Sequence, residues 1–125
     1  MNVFVAGATG TLGLPLVRAL AVRNHEVVGL TRSPDHRRRL ELVGVKAVVA
    51  DALDVQAVEH AVRSVAPECI VHLLTAIPKN GPLRASDMNA TNQLRVAGTT
   101  NLLRAYREGL QQVATELHAN RRTDR

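Results

Sequence analysis

Glycines at positions 7, 10 and 13 have the spacing in this chain that most clearly points to chemistry. A short apolar run, residues 3–6, leads into them, and apolar residues at helical spacing begin at Leu14. This order predicts a strand, a tight turn and the N-terminus of a helix. Backbone N–H groups and the positive end of a helix dipole attract anions, and glycines allow close approach to the backbone. The pattern therefore predicts a turn that holds a pyrophosphate, the alternative being a glycine-rich turn with no ligand.

The glycine spacing differs from two other phosphate-binding motifs. The pattern is Gly-x-x-Gly-x-x-Gly, whereas the commonest dinucleotide fingerprint is Gly-x-Gly-x-x-Gly. In a P-loop, four residues separate the first glycine from a glycine that is followed by lysine. Four residues also follow Gly7, but the next residue is Leu12 rather than glycine. The turn therefore lacks the lysine that reaches a terminal phosphate.

The residues after the second predicted strand bear on the choice of cofactor. An NAD site usually carries an acid there, roughly 20 residues past the glycines, which binds the ribose hydroxyls. This chain instead has Arg32, followed by Ser33. An arginine suits a 2′-phosphate, with the serine hydroxyl as a further donor, so NADP is favoured over NAD. The alternative is that Arg32 is a solvated loop charge.

Other reactive side chains give weaker signals. Cys69 lies in an apolar run and is interpreted as a buried, inert thiol, and His72 in the same run as a core histidine rather than a base. The five histidines have no metal-ligand spacing, and no Ser-His-Asp arrangement is suggested. We therefore predict no catalytic residue and no metal ligand.

Alternating strand and helix patterns predict the frame that positions these residues. The predicted strands are residues 2–6, 26–31, 46–50 and 69–74, and the predicted helices are 11–23, 33–43, 55–65 and 87–108. Right-handed crossovers then give an α/β fold: a partial doubly wound (Rossmann) parallel sheet, strand order 3-2-1-4, with helices on both faces. A ligand should bind beyond the carboxyl ends of the strands, between the first and the fourth.

Composition limits the class of protein. The 125 residues suffice for one domain, and 46% of them are hydrophobic but only 2% aromatic, which suits an aliphatic core around a parallel sheet. The net charge of +5 is scattered, and aromatic side chains for base stacking are scarce, so nucleic acid is disfavoured as a partner. No signal peptide and no apolar run near the roughly 18 residues of a membrane span is present, which predicts a cytoplasmic protein without membrane contact.

Four ordered segments together resemble the N-terminal half of the NAD(P)-dependent epimerase/dehydratase family, the extended and atypical short-chain dehydrogenase/reductases. The resemblance covers residues 2–109, and the segments are 5–13, 49–54, 70–76 and 92–103. By resemblance, the pyrophosphate would be held by Gly7, Gly10, Thr11, Leu12 and Gly13. The adenine would contact Asp51 and Ala52, and the ribose and nicotinamide would lie along Leu74, Thr75 and Ala76.

The chain departs from the family pattern in its C-terminal part. The family uses a Tyr-x-x-x-Lys pair for acid–base chemistry, but Tyr106 is followed four residues later by Leu110, and no lysine follows Lys79. We therefore predict two parts, a half-Rossmann NAD(P)-binding domain over 1–109 and a helical or disordered tail over 110–125 that is unlike the family. The chain is expected to be truncated and inactive alone.

These observations predict an NAD(P)-binding module without a substrate lobe, whose substrate cannot be identified from the sequence. One alternative is a noncatalytic regulator that senses NADP, and another is an enzyme completed by a partner chain. Self-association through an exposed edge of the fourth strand is a further expectation, since strands of a parallel sheet usually pair on both edges.

Overall fold

The computed structural model describes residues 1–78 and 80–123 as a parallel sheet with helices on both faces. The four strands are β1 (Asn2–Ala6), β2 (Glu26–Thr31), β3 (Lys46–Val49) and β4 (Cys69–His72). The helices are α1 (Gly13–Val22), α2 (Pro34–Glu41), α3 (Val55–Val65), α4 (Asn89–Gln93) and α5 (Thr99–Thr123). The strand order is β3-β2-β1-β4, as predicted.

The register places the carboxyl ends of the strands close together. In β1, Ala6 is paired with Leu30 of β2 and with His72 of β4, and Thr31 is paired with Val49 of β3. The segments that follow β1 and β4 therefore start side by side, which is where the strand order predicts the ligand. On its other side β4 is the edge strand of the sheet, and its four residues are half-buried.

Alternate residues of the strands contribute to two cores, one on each face of the sheet. Phe4 and Ala6 of β1 pack towards α3 and α5, whereas Val3 and Val5 pack towards α1 and α2. Phe4, Val5, Val17 and Val58 are fully buried. Aliphatic side chains on both faces of a parallel sheet explain why the strands read as continuous apolar runs rather than alternating ones.

Most predicted boundaries agree with the structure. The helix predicted at 55–65 has those bounds because Asp54 caps it, its carboxylate accepting a hydrogen bond from the N–H of Ala57 at 3.1 Å. The first helix begins at Gly13 rather than at residue 11, since the turn occupies the residues before it. The fourth strand ends at His72 rather than at residue 74.

The long helix predicted at 87–108 is more complex than its pattern suggested. A single 3₁₀ turn, Ala85–Met88, leads into α4, and a π-helical turn, Leu94–Gly98, joins α4 to α5. Helix α5 continues to Thr123, and its side chains from Leu110 onwards are exposed. The tail predicted as helical or disordered, 110–125, is helical as far as Thr123, and residues 124 and 125 lie outside the described part. None of the described helices is long and apolar enough to span a membrane.

Candidate nucleotide-binding site

The glycine turn is fixed by contacts that leave no room for side chains at two of its three glycines. Gly7 has a φ of +86°, and a Cβ on it would lie 2.6 Å from the carbonyl carbon of Leu73. A Cβ on Gly13 would lie 2.0 Å from the backbone oxygen of Gly7. Both distances are far shorter than a van der Waals contact, so the close approach of β1, β4 and α1 requires glycine at both positions.

The third glycine differs because it faces open space. A Cβ on Gly10 would meet only the backbone oxygen of Gly7, at 3.4 Å, and Gly10 is exposed. The N–H of Gly10 donates to that same oxygen at 3.2 Å, which closes the turn. Helix α1 then starts with no acidic residue in its first turn. The first N–H groups of a helix have no partner within it, so this end of α1 is suited to an anion.

Two adjoining cavities open on this turn at the carboxyl edge of the sheet. One has a volume of about 300 Å³ and the other about 1080 Å³, and both are bordered by Gly10, Leu74 and Thr75. The smaller is also lined by six further predicted site residues: Gly7, Arg32, Ser33, Asp51, Ala52 and Ala76. The larger is also lined by the remaining three: Thr11, Leu12 and Gly13. The structure therefore brings all the predicted site residues together, although they come from four separate segments.

The end of β2 supplies the basic side of the smaller cavity. Arg32 is exposed and Ser33 is half-buried, and the N–H of Ser33 donates to the hydroxyl of Thr31 at 3.3 Å. His36, in the first turns of α2, lines the same cavity. Arg37 does not line it; its guanidinium pairs with Glu41 at 2.9 Å on the helix surface. Arg32 and His36 are thus the basic side chains of the smaller cavity.

The end of β3 forms another side of the smaller cavity. The Asp51 carboxylate accepts from the N–H of Leu53 at 2.9 Å, which fixes it in the turn before α3. A carboxylate has further lone pairs, so Asp51 can accept another donor as well. The buried Asn101 of α5 donates to the carbonyl of Ala52 at 2.9 Å. This hydrogen bond connects α5 with the floor of the cavity.

The end of β4 is held by two side chains. The N–H of Leu74 donates to Nδ1 of His72 at 3.2 Å, and the N–H of Ala76 donates to the hydroxyl of Thr91 at 2.8 Å. Thr91 is 2% exposed, so its hydroxyl is committed to this contact. Burial lowers the pKa of His72 below 6.5, and hydrogen bonding by the Leu94 backbone offsets part of that effect. His72 is therefore neutral at neutral pH and half-buried, not enclosed in the core.

Other candidate residues lie apart from these cavities. The hydroxyl of Tyr106 donates to the carbonyl of Glu68 at 3.1 Å, at the amino end of β4 and hence at the opposite edge of the sheet. A cavity of about 550 Å³ lies there, between α3 and α5, and no predicted site residue lines it. Cys69, predicted to be buried, is half-buried. Within residues 1–78 and 80–123, no group of three or more histidine, cysteine, aspartate or glutamate side chains is placed to hold a metal ion.

Sequence reasoning missed several lining residues. His36 carried a signal, since it lies four residues after Arg32, in the first turn of the helix that follows. Further missed residues come from α4, the π-helical turn and the start of α5, which pack over the cavities only through the tertiary fold. They are Asn92, Leu94, Arg95, Val96 and Thr99.

Comparisons with known proteins agree with this geometry. The model of the NAD dependent epimerase/dehydratase family matches residues 3–118, which extends beyond the domain boundary predicted at 109. A 3-diazoavenalumate denitrifying reductase from a Streptomyces species is 44% identical over 109 residues, which are 86% of this chain and 34% of the reductase. A 2-alkyl-3-oxoalkanoate reductase from Stenotrophomonas maltophilia is 34% identical over 109 residues, 86% of this chain and 30% of that protein.

A solved structure has a similar fold over most of this chain. The UDP-glucose 4-epimerase of Thermus thermophilus, in complex with NAD, superposes with a TM-score of 0.72 at 27% identity, covering 87% of this chain and 34% of the epimerase. The chain thus spans about a third of the length of each of these relatives. Since the glycine turn, the strand order and a family match over most of the sequence agree, the chain belongs to the NAD-dependent epimerase/dehydratase family.

Proposed function

We propose that this chain is a nucleotide-binding domain that holds NAD(P) across the two cavities at the carboxyl edge of its sheet. One observation carries the proposal. Every residue that the sequence assigned to the cofactor lines one of two cavities that share Gly10, Leu74 and Thr75. The strand ends supply side chains there that suit the other parts of a dinucleotide, an acceptor at Asp51 and donors at Arg32 and Ser33.

The residues fit the chemistry of a dinucleotide. Gly10 leaves the space that a pyrophosphate needs beside the start of α1, where the helix dipole favours negative charge. Asp51 lines the smaller cavity, where its carboxylate would accept from the exocyclic amine of adenine. Leu74 and Thr75 line both cavities, so a bound dinucleotide would pass them. When bound, the nicotinamide would supply hydride transfer.

We propose further that the chain prefers NADP to NAD. Arg32 and His36 can both face a 2′-phosphate in the smaller cavity, and Ser33 can donate to it. Asp35 opposes this preference electrostatically, since it lies in the first turn of α2, but it does not line the cavity. No acid follows β2 at the position where an NAD site binds the ribose hydroxyls.

Turnover by this chain alone is not part of the proposal. Its tyrosine lies at the edge of the sheet away from the cavities, hydrogen-bonded to Glu68, and the residue four positions after it is Leu110, not lysine. The relatives that reduce or epimerise substrates are about three times longer. A cofactor-sensing regulator and an enzyme completed by a partner chain remain the alternative functions for a domain that binds NADP.

Titration with both cofactors tests these proposals. We expect saturable binding of NADPH at one site per chain, followed by the fluorescence of the nicotinamide, and weaker binding of NADH. Equal affinities would contradict the NADP preference and leave cofactor binding intact. Failure to bind either cofactor would contradict the proposed function itself. Oxidation of NADPH with a panel of carbonyl compounds and sugars would then separate an enzyme from a binding module.

A further inference from the structure

His72 connects two segments that line the cofactor cavities. It is the last residue of β4, and its Nδ1 accepts a hydrogen bond from the N–H of Leu74. A nitrogen that accepts cannot carry a proton, so the neutral ring must carry its proton on Nε2. The tautomer of His72 is therefore set by a backbone amide two residues further along the chain.

The other side of the imidazole faces the π-helical turn. A Cβ on Gly98 would lie 3.8 Å from Nε2, and the Leu94 backbone is near enough to the ring to raise its pKa. Since Nδ1 is already occupied, Nε2–H is the group available to donate towards that backbone. A π-helical turn displaces the regular pairing of a helix, and such turns occur often at functional sites.

Side chains donate hydrogen bonds to backbone carbonyls of this turn. The hydroxyls of Thr99 and Thr100 donate to the carbonyls of Arg95 and Val96, the second at 2.9 Å. The carbonyls of residues 95 and 96 therefore pair with side chains of α5. The imidazole of His72 comes from the sheet and lies against this turn, so it couples the turn to the strand.

We propose that neutral His72 is a positioning residue of the nucleotide site, which fixes Leu74 and Leu94 together and releases Leu74 when it is protonated. The proposal rests on the proposed function, because its consequence is a change in cofactor affinity. Leu74 borders both cavities and Leu94 borders the smaller one, so their separation alters the space that the nucleotide occupies.

The direction of the pH effect follows from the charge state. Burial holds the pKa of His72 below 6.5, so the hydrogen bond from Leu74 is complete above that pH and is lost as the pH falls through the lowered value. Protonation replaces the acceptor lone pair on Nδ1 with a second N–H, which faces the N–H of Leu74. The charged or titratable residues that line cavities with His72 are Arg95 of the π-helical turn, Tyr106 of α5 and Cys69 of β4. Among the residues that the structure describes, no carboxylate lines those cavities, so none is placed there to stabilise the imidazolium.

Two substitutions separate the two hydrogen bonds of His72. His72→Asn places an amide oxygen near the position of Nδ1, so it can accept from Leu74 but is too short to reach Leu94. His72→Gln places its amide nitrogen near the position of Nε2, so it can donate to Leu94 but cannot accept from Leu74. His60→Asn is the matched control, because His60 is exposed on α3 and away from the cavities.

Calorimetric titration with NAD⁺ from pH 7.5 to pH 5.5 tests the proposal. NAD⁺ is the probe because it lacks the 2′-phosphate, whose own ionisation near pH 6 would change the affinity. We expect wild type and His60→Asn to lose affinity as the pH falls, by about five-fold once His72 is protonated, the size of one hydrogen bond. Both His72 variants should bind more weakly than wild type at pH 7.5 and should have flat profiles, with His72→Asn the closer to wild type.

A flat wild-type profile, or His72 variants that keep the wild-type profile, would overturn the positioning role while leaving cofactor binding intact. Absence of binding by wild type at every pH would instead overturn the proposed function, and the positioning role with it. The ¹⁵N resonances of the wild-type imidazole give a measurement that needs no variant to fold. Protonated Nε2 and unprotonated Nδ1 at pH 7.5 support the proposal, and the opposite tautomer contradicts it.

Discussion

The glycine turn, residues 7–13, and the segment after β4, residues 73–76, border the same cavities but are fixed by different interactions. In the turn, Gly7 and Gly13 have backbone atoms of neighbouring elements within 3 Å of where a Cβ would be. After β4, the backbone is held by His72 and Thr91, each accepting one hydrogen bond. The turn therefore requires two positions without a side chain, whereas the segment after β4 requires the side chains of His72 and Thr91.

This difference has consequences for how each region responds to change. A steric constraint from backbone atoms is satisfied or violated, so substitutions at Gly7 and Gly13 should have large effects that do not depend on pH. Hydrogen bonds to side chains contribute about 1 kcal/mol each, and one of the two acceptors titrates. Substitutions after β4 should therefore have graded effects.

Gly13→Ala should have the largest effect on folding. Its Cβ would lie 2.0 Å from the backbone oxygen of Gly7, and neither atom can move without separating α1 from β1. We expect the free energy of unfolding, measured with urea, to fall by about 3 kcal/mol or more. Gly10→Ala is the matched control, since its Cβ has a nearest contact of 3.4 Å and should change stability by less than about 1 kcal/mol. Equal losses in the two variants would contradict the steric account of the turn.

Arg32→Ala should change cofactor choice without changing the fold. Arg32 is exposed, so its removal leaves no buried group unpaired. We expect the preference for NADP over NAD to narrow by about 1–3 kcal/mol, the scale of a charge-assisted contact with phosphate. The measurement is the ratio of the two dissociation constants, with Arg38→Ala on the surface of α2 as the control. A ratio unchanged by Arg32→Ala would show that this side chain is only a solvated charge.

Thr91→Val should have a smaller effect on stability. The valine keeps the buried volume but removes the hydroxyl that accepts from the N–H of Ala76 at 2.8 Å. Since Ala76 is half-buried, we expect a loss of about 1 kcal/mol in the free energy of unfolding and faster exchange of the Ala76 amide hydrogen. Thr91→Ser keeps the hydroxyl and should preserve the protection of that amide. If both variants exchange alike, the hydroxyl does not hold this segment.

The sequence predicted the sheet better than it predicted α4 and the π-helical turn, which pack over the cavities. Apolar runs, the Asp54 cap and the glycine turn are local signals, and they led to the observed strand order and to the segments that line the site. The π-helical turn at 94–98 packs against an imidazole from β4, more than twenty positions earlier in the chain. No local pattern encodes that contact, so the residues of α4 and of this turn that line the cavities were not predicted.

The three glycines of the turn also have different roles, which their spacing does not indicate. Sequence spacing alone treats Gly7, Gly10 and Gly13 as equivalent members of one motif. The structure separates Gly10, which faces the cavity, from the other two, which allow close packing of the backbone. This separation could not be predicted, because it depends on where Leu73 and Ala8 lie in the folded chain.

Gly10→Val tests the central claim, that the cavity at the glycine turn binds the dinucleotide, most directly. The valine side chain would project into the space assigned to the pyrophosphate, while its Cβ has an ordinary contact within the protein. The measurement is a fluorescence titration of wild type and Gly10→Val with NADPH, alongside urea unfolding of both. We predict saturable binding to wild type, loss of binding in the variant, and closely similar unfolding curves. Wild-type affinity retained by a folded Gly10→Val would contradict the claim and leave the turn a structural feature only.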